Sequence, residues 1–114
     1  EVALSMDRAH LRQILWNLVG NARRHCSGGP QAVIISARAH DEGRVEMDVS
    51  DDGPGVPDAL RSQIFEPFFT THSKGTGLGL YIARELAEAN GAVLELAPSG
   101  AGGACFRLIG RARP

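Results

Sequence analysis

Several things are scarce in this 114-residue chain. It has one lysine, Lys74, and every other basic residue is arginine. Its 12 Lys and Arg stand against 13 Asp and Glu, a formal charge of −1. That balance gives no electrostatic case for nucleic acid or an acidic membrane surface. No apolar run approaches the roughly 18 residues of a membrane span, and no signal-peptide pattern is present. The two cysteines, Cys26 and Cys105, make neither a close metal-binding pair nor a disulfide framework, so reduced and partly buried thiols are the plain reading. His10, His25, His40 and His72 have no metal-ligand spacing among them and default to surface or core roles. There is no internal repeat and no low-complexity segment. The chain opens at Glu1 without a methionine and is expected to be a fragment or a processed product.

What is present fits one domain, residues 1–114, with enough length for a core. "VALSM" reads as a short strand. Asp7 is a natural N-cap for a helix through "RAHLRQILWNLVGNARRH". Leu11, Ile14, Leu15, Leu18 and Ala22 give that helix one apolar stripe. Ser27-Gly28-Gly29-Pro30 breaks it. "QAVIISARAH" and "RVEMDVSD", joined by Asp41-Glu42-Gly43, carry a hairpin signal. "DALRSQIF" suits one or two helical turns, and "EPFFTTHSKGTG" reads as a flexible lid. A second helix is expected from about Leu78 to Asn90, ended by Gly91 as a left-handed cap. "AVLEL" and "ACFRLIG" are the last strands. The order helix, two strands, helix, two strands predicts an α/β (α+β) two-layer sandwich: a mixed, largely antiparallel sheet with helices on one face.

Three local patterns point to chemistry. In "KGTGLGL" the glycines Gly75, Gly77 and Gly79 open a helix that each of them weakens by roughly 0.8–1 kcal/mol. The run contains no Gly-Lys pair and has Leu80 where a dinucleotide fingerprint needs glycine. Bare glycines can still aim successive N–H groups at an anion, and the helix dipole adds to that field. On the run alone, a phosphate cradle and a mobile surface loop stand level. The first helix carries Asn17, Asn21 and Arg24 at i, i+4 and i+7, a polar stripe beside the apolar one. An amide oxygen there suits Mg²⁺ and an arginine suits phosphate; a solvated face is the plainer reading of such a stripe alone. The third pattern is parity. Val45, Met47 and Val49 share the core face of their strand, and Asp51 shares it too. A carboxylate so placed needs a donor. A backbone N–H, an arginine or a ligand amine such as that of adenine would serve. Asp52 has the opposite parity and is expected to be solvated.

"LRQILWNLVGNARRH", "DDGPGVP", "IFEPFFTT", "GTGLGL" and "GAGGACF" stand in the order and rough spacing of the N, G1, F, G2 and G3 boxes of sensor histidine kinases. Across nearly its whole length the chain resembles the catalytic, ATP-binding domain of such a kinase, with the Bergerat fold shared by DNA gyrase and mismatch-repair ATPases. Its lid, "EPFFTTHSKGTGLGL", is similar to that of kinases controlling nitrogen response and type IV pili. The resemblance implies Mg²⁺ on Asn21, with Asn17 as its neighbour in the catalytic set and Arg24 where a lysine near the phosphates is common. It implies Asp51 on the adenine amine, with Gly53 and Gly55 shaping that wall. Phe65, Phe68 and Phe69 would anchor the lid. Gly75, Gly77 and Gly79, with Lys74, Thr76, Leu78 and Leu80, would surround the phosphates. The sequence departs from the pattern at His25, where an aromatic is common, at His72, where many relatives have lysine, and at Cys105, where threonine or serine is usual.

The implied activity is binding of Mg·ATP and presentation of the γ-phosphate to a histidine on a separate helical dimerisation domain, in two-component signalling. A response-regulator receiver would act downstream. The domain alone would be monomeric, the whole kinase a homodimer, and the location cytoplasmic, with any inner-membrane anchor elsewhere in the protein. A gyrase-type ATPase is a rival reading, but the first helix has Asn17 at the place of the water-activating glutamate. A nucleotide-gated binding module and an anti-sigma serine kinase also use this fold.

Overall fold

The computed structural model describes residues 4–29, 32–69, 77–98 and 103–112. Asp7 caps the first helix, α1 (Arg8–His25), by accepting the His10 N–H. The helix buries Ile14, Leu18 and Ala22, the predicted stripe. Strands β1 (Val33–His40) and β2 (Arg44–Asp51) pair antiparallel across a turn at Asp41–Gly43. A short 3-10 turn covers Asp58–Leu60. The second helix, α2 (Gly79–Ala89), ends at Asn90, with Gly91 left-handed at φ +72°. Strands β3 (Val93–Leu96) and β4 (Ala104–Arg111) complete a sheet of order β1-β2-β4-β3. Every pairing in it is antiparallel. Of "VALSM", the described part holds a single bridge from Leu4 to Ala112 rather than a paired strand.

Register explains the core. Val45, Val49, Phe106, Leu108 and Leu94 lie on one face of the sheet and are buried with Ile14 and Leu18 of α1 and Ala83 and Ala87 of α2. Both helices therefore sit on that face. β1 is a sheet edge and only its start, at Val33, packs on the core: Ile34 and Ile35, on its opposite faces, are both about half exposed.

The opposite face is solvent-facing but carries one buried acid. Glu46, 2% exposed, receives Arg38 at 2.6 Å and Arg107 at 3.2 Å, with His40 at 3.6 Å. Arg107 also pairs with Asp48 at 3.0 Å, and that bond comes first in raising its pKa above the ordinary arginine value. Cys26 and Cys105 are free and partly buried.

Candidate functional site

A cavity of about 620 Å³ opens between α1, the loop after β2, the entry to α2 and the near end of the sheet. Of the residues singled out from the sequence, Asn17, Asn21, Arg24, His25, Asp51, Gly55, Gly77, Gly79 and Leu80 line it. Gly53, Phe68 and Leu78 are not among its lining residues. Lys74, Gly75 and Thr76, like His72, lie outside the described residues.

One wall is set by Asp51. As strand parity predicts, its side chain lies on the core face, and the residue is 8% exposed. Its Oδ1 accepts the Gly53 N–H at 2.9 Å. Its other oxygen has no protein partner among the described residues, which leaves an acceptor open to the cavity. Gly53 stays off the lining because it packs beneath it. A Cβ there would overlap the His25 carbonyl, so glycine lets the end of α1 close on the loop. Asp52 is exposed, as expected, yet not merely solvated. It accepts the Ser27 N–H at 2.8 Å and the Ser27 hydroxyl at 2.5 Å. The hydroxyl bond is the larger reason that its carboxyl titrates below the ordinary value.

The opposite wall forms where α2 begins. Gly77 has φ +75°, and a Cβ on it would overlap the Phe68 backbone. The Phe68 N–H donates to the Gly77 carbonyl at 2.7 Å. Phe68 itself is left-handed at φ +67° and 72% exposed. Phe69 lines the cavity and Phe65 is buried edge-on to Phe106. Leu78 is the N-cap position of α2, with no side-chain cap bond among the described residues. Asn17 ties the helices together, its amide N–H donating to the Gly79 carbonyl at 3.0 Å and its oxygen accepting from Gln13 at 2.9 Å. Both ends of Asn17 are thus engaged. Asn21, one turn on, has no side-chain hydrogen bond among the described residues. His25 turns its Nδ1 to the Asn21 carbonyl at 2.8 Å.

The sequence reading missed the apolar floor: Val56, Pro57, Leu60, Ile64, Ala104 and Phe106. Alternation in "ACFRLIG" puts Ala104 and Phe106 on one face, and pairing with β2 makes it the face of Val49. The 56–64 segment had no comparable signal, because its two turns are too short to show a period. Arg61 holds that segment to the sheet by donating to the carbonyls of Leu96 and Ala97 at 2.9 and 3.0 Å.

The arrangement is a partly apolar slot with an open carboxylate acceptor at one end, and an unengaged amide, an arginine and a helix N-terminus at the other. It suits a flat, amine-bearing group joined to an anion.

Residues 6–112 match the model of the histidine kinase-, DNA gyrase B- and HSP90-like ATPases. The sensor protein kinase PilS of Pseudomonas aeruginosa is 44% identical over 111 residues, covering 95% of this chain and 21% of that protein. The chain thus spans about a fifth of that relative's length. Full-length ShkA in complex with AMPPNP superposes with TM-score 0.83 at 37% identity, over 98% of this chain and 23% of the other. The mycobacterial sensor histidine kinase MprB superposes with TM-score 0.82 at 28% identity, over 95% and 74%. Fold, ordered motifs and these likenesses agree: the chain belongs to the family of histidine kinase-, DNA gyrase B- and HSP90-like ATPases.

Proposed function

We propose that this chain is the ATP-binding module of a sensor histidine kinase, and that it presents the γ-phosphate to a histidine on a separate helical domain. The observation that carries this reading is the polarity of the cavity. At one end Asp51 keeps an unpaired acceptor oxygen, suited to the exocyclic amine of adenine. At the other, Asn21, Arg24 and the entry to α2 suit the phosphates. Leu60, Ile64 and Phe106 supply the apolar packing that a base requires.

Asn21 fits Mg²⁺. Among the described residues its amide oxygen is a hard donor with no protein partner, and none of them form a group of three or more acidic, His or Cys side chains that could make a cage. A single protein oxygen with water and phosphate ligands is a usual Mg²⁺ arrangement. The ion, when bound, neutralises phosphate charge. Arg24, with Lys74, Thr76 and the glycines of the loop, would share that task.

The transfer itself asks for positioning more than for protein chemistry. An imidazole nitrogen of the second domain attacks the γ-phosphorus with its lone pair. The bond to the β,γ-bridging oxygen breaks, and ADP leaves with the electron pair. α1 has no carboxylate at the place of the gyrase-type glutamate: Asn17 cannot take a proton, and its amide is committed to Gly79 and Gln13. This favours transfer over the hydrolysis of the gyrase-type relatives. The response-regulator receiver, dimerisation and the cytoplasmic setting belong to the whole protein and follow from the same reading.

The test at this site compares Mg·ATP with adenosine. Asn21→Ala should weaken Mg·ATP binding by about tenfold or more while leaving adenosine within about twofold, a contrast set by loss of a charge-linked ligand. Equal losses for both ligands would mean that the substitution had only damaged α1, and the metal role would be wrong.

A further inference from the structure

A second cavity, of about 270 Å³, lies behind the wall of the first, between the outer face of α2 and the turn segment that follows Leu60. Sequence neighbours divide the two. Ile64 lines the first and Phe65 the second; Leu80 lines the first and Tyr81 the second. Phe65 is 8% exposed, and its ring stands edge-on to Phe106, a floor residue of the first cavity, with centroids 6.0 Å apart. Tyr81, Arg84, Glu85 and Glu88 fall at i, i+3, i+4 and i+7, one face of α2, while Ala83 and Ala87 turn to the core. Glu66, Glu85 and Glu88 rim the second cavity and are exposed. Arg84, the one cation among its lining residues, is already engaged: it stacks on the Phe65 ring at 4.8 Å and pairs with Glu88 at 3.5 Å. Glu66 and Glu85 have no side-chain partner among the described residues.

We infer that this second cavity is a docking site for one arginine side chain presented by a protein partner, and that its occupancy changes affinity at the nucleotide cavity. Size argues for a side chain: small-molecule sites run from about 300 to 1,000 Å³, and this cavity is smaller. Charge argues for a cation, because three glutamates stand against one arginine that is already bound to one of them. Geometry argues for arginine. Glu66 stands on the turn and Glu85 on the helix, so a planar fork of donors can bond both walls while its stem packs on Pro67 and Tyr81. Arg84 already rests a guanidinium on this aromatic floor. The docking site stands without the function proposed above; the coupling rests on it. Ile64, Phe65 and Phe106 belong to one packed core, and a close-packed wall transmits displacement from one side to the other. A guanidinium that bonds Glu66 draws the turn towards α2 and seats Phe65 on Phe106. A base in the first cavity packs on Phe106 from the other side. Each ligand orders the wall that the other needs, so the coupling is positive and reciprocal.

The experiment follows amide NMR shifts of the isotope-labelled chain during titration with three capped tripeptides, Leu-Arg-Leu, Leu-citrulline-Leu and Leu-Glu-Leu, with and without saturating AMPPNP. The arginine peptide should shift the amides of residues 62–67 and 81–88. It should bind about tenfold or more tighter than the citrulline peptide, the size of one hydrogen bond to a charged group. Glu66→Gln combined with Glu85→Gln should remove that advantage. The same variant should keep its melting temperature and its AMPPNP affinity, because neither side chain has a described partner to lose or lines the first cavity. Saturating AMPPNP should tighten the arginine peptide by about fivefold, the low end of coupling between sites, and the peptide should tighten AMPPNP by the same factor. No binding of the arginine peptide, or equal affinity for the arginine and citrulline peptides, would overturn the docking site. Tighter binding of the glutamate peptide would overturn it too, by making Arg84 the recognising group. An arginine peptide whose affinity AMPPNP leaves unchanged would overturn the coupling. A chain that bound no AMPPNP would bring down the proposed function and the coupling together, while the arginine and citrulline peptides would still decide the docking site.

Discussion

At the scale of single residues, Asp51 is the most informative. Strand parity alone brought a carboxylate to the core face, and the structure shows one oxygen satisfied by Gly53 and the other left for something else. Asp51→Asn keeps the size and replaces an acceptor with a mixed donor and acceptor. ATP affinity should fall by about a hundredfold or more, as in sites built around a single ligand N–H. A titration of wild type with ATP and GTP checks the role, because guanine presents a carbonyl at that place; equal affinities would refute it. Asp52 makes a separate, pH-dependent contribution. Its carboxyl titrates below the ordinary 3.8 in the fold because Ser27 bonds the charged form. Its stabilising effect is therefore present above that value and is lost as pH falls through the depressed folded value. Ser27→Ala should lower stability in the neutral region and leave it nearly unchanged at the most acid pH, so that the acid limb of a stability-versus-pH curve flattens. An acid limb identical to that of wild type would show that the bond carries nothing.

At the scale of elements, the two helices meet through Asn17. Removing its bond to Gly79 with Asn17→Ala should cost about 1 kcal/mol, read as a lower denaturation midpoint. A larger test lies on the opposite face. Glu46→Ala should destabilise by about 3 kcal/mol, the lower end of what breaking a buried pair costs, because Arg107 keeps Asp48 and Arg38 can reach solvent. A change under about 0.5 kcal/mol, the scatter of ordinary surface sites, would contradict the burial of this acid. The same residue marks where sequence reading stops. Periodicity was enough for both helices, the hairpin and the last two strands, since each has an apolar period of its own. It places Glu46 on the solvent side of β2, correctly, but burial there is made by Arg38 and Arg107 arriving from β1 and β4. Only the sheet order, which crosses from β2 to β4, brings those side chains together.

At the scale of the whole molecule, the site is a composite of distant segments held by small contacts: the end of α1, the loop after β2, the entry to α2 and the start of β4. The motif order made most of these segments legible, but the apolar floor at Leu60 and Ile64 needed the fold. The central claim is that the chain holds ATP ready for a nucleophile which it does not itself supply. The most direct measurement counts label from γ-labelled ATP on each chain, with and without the helical histidine domain. Alone, this chain should bind ATP, carry no stable label and hydrolyse ATP only slowly. With the helical domain present, acid-labile phosphohistidine should form on that domain. Robust phosphate on the isolated chain, or rapid ATP hydrolysis by it, would contradict the account.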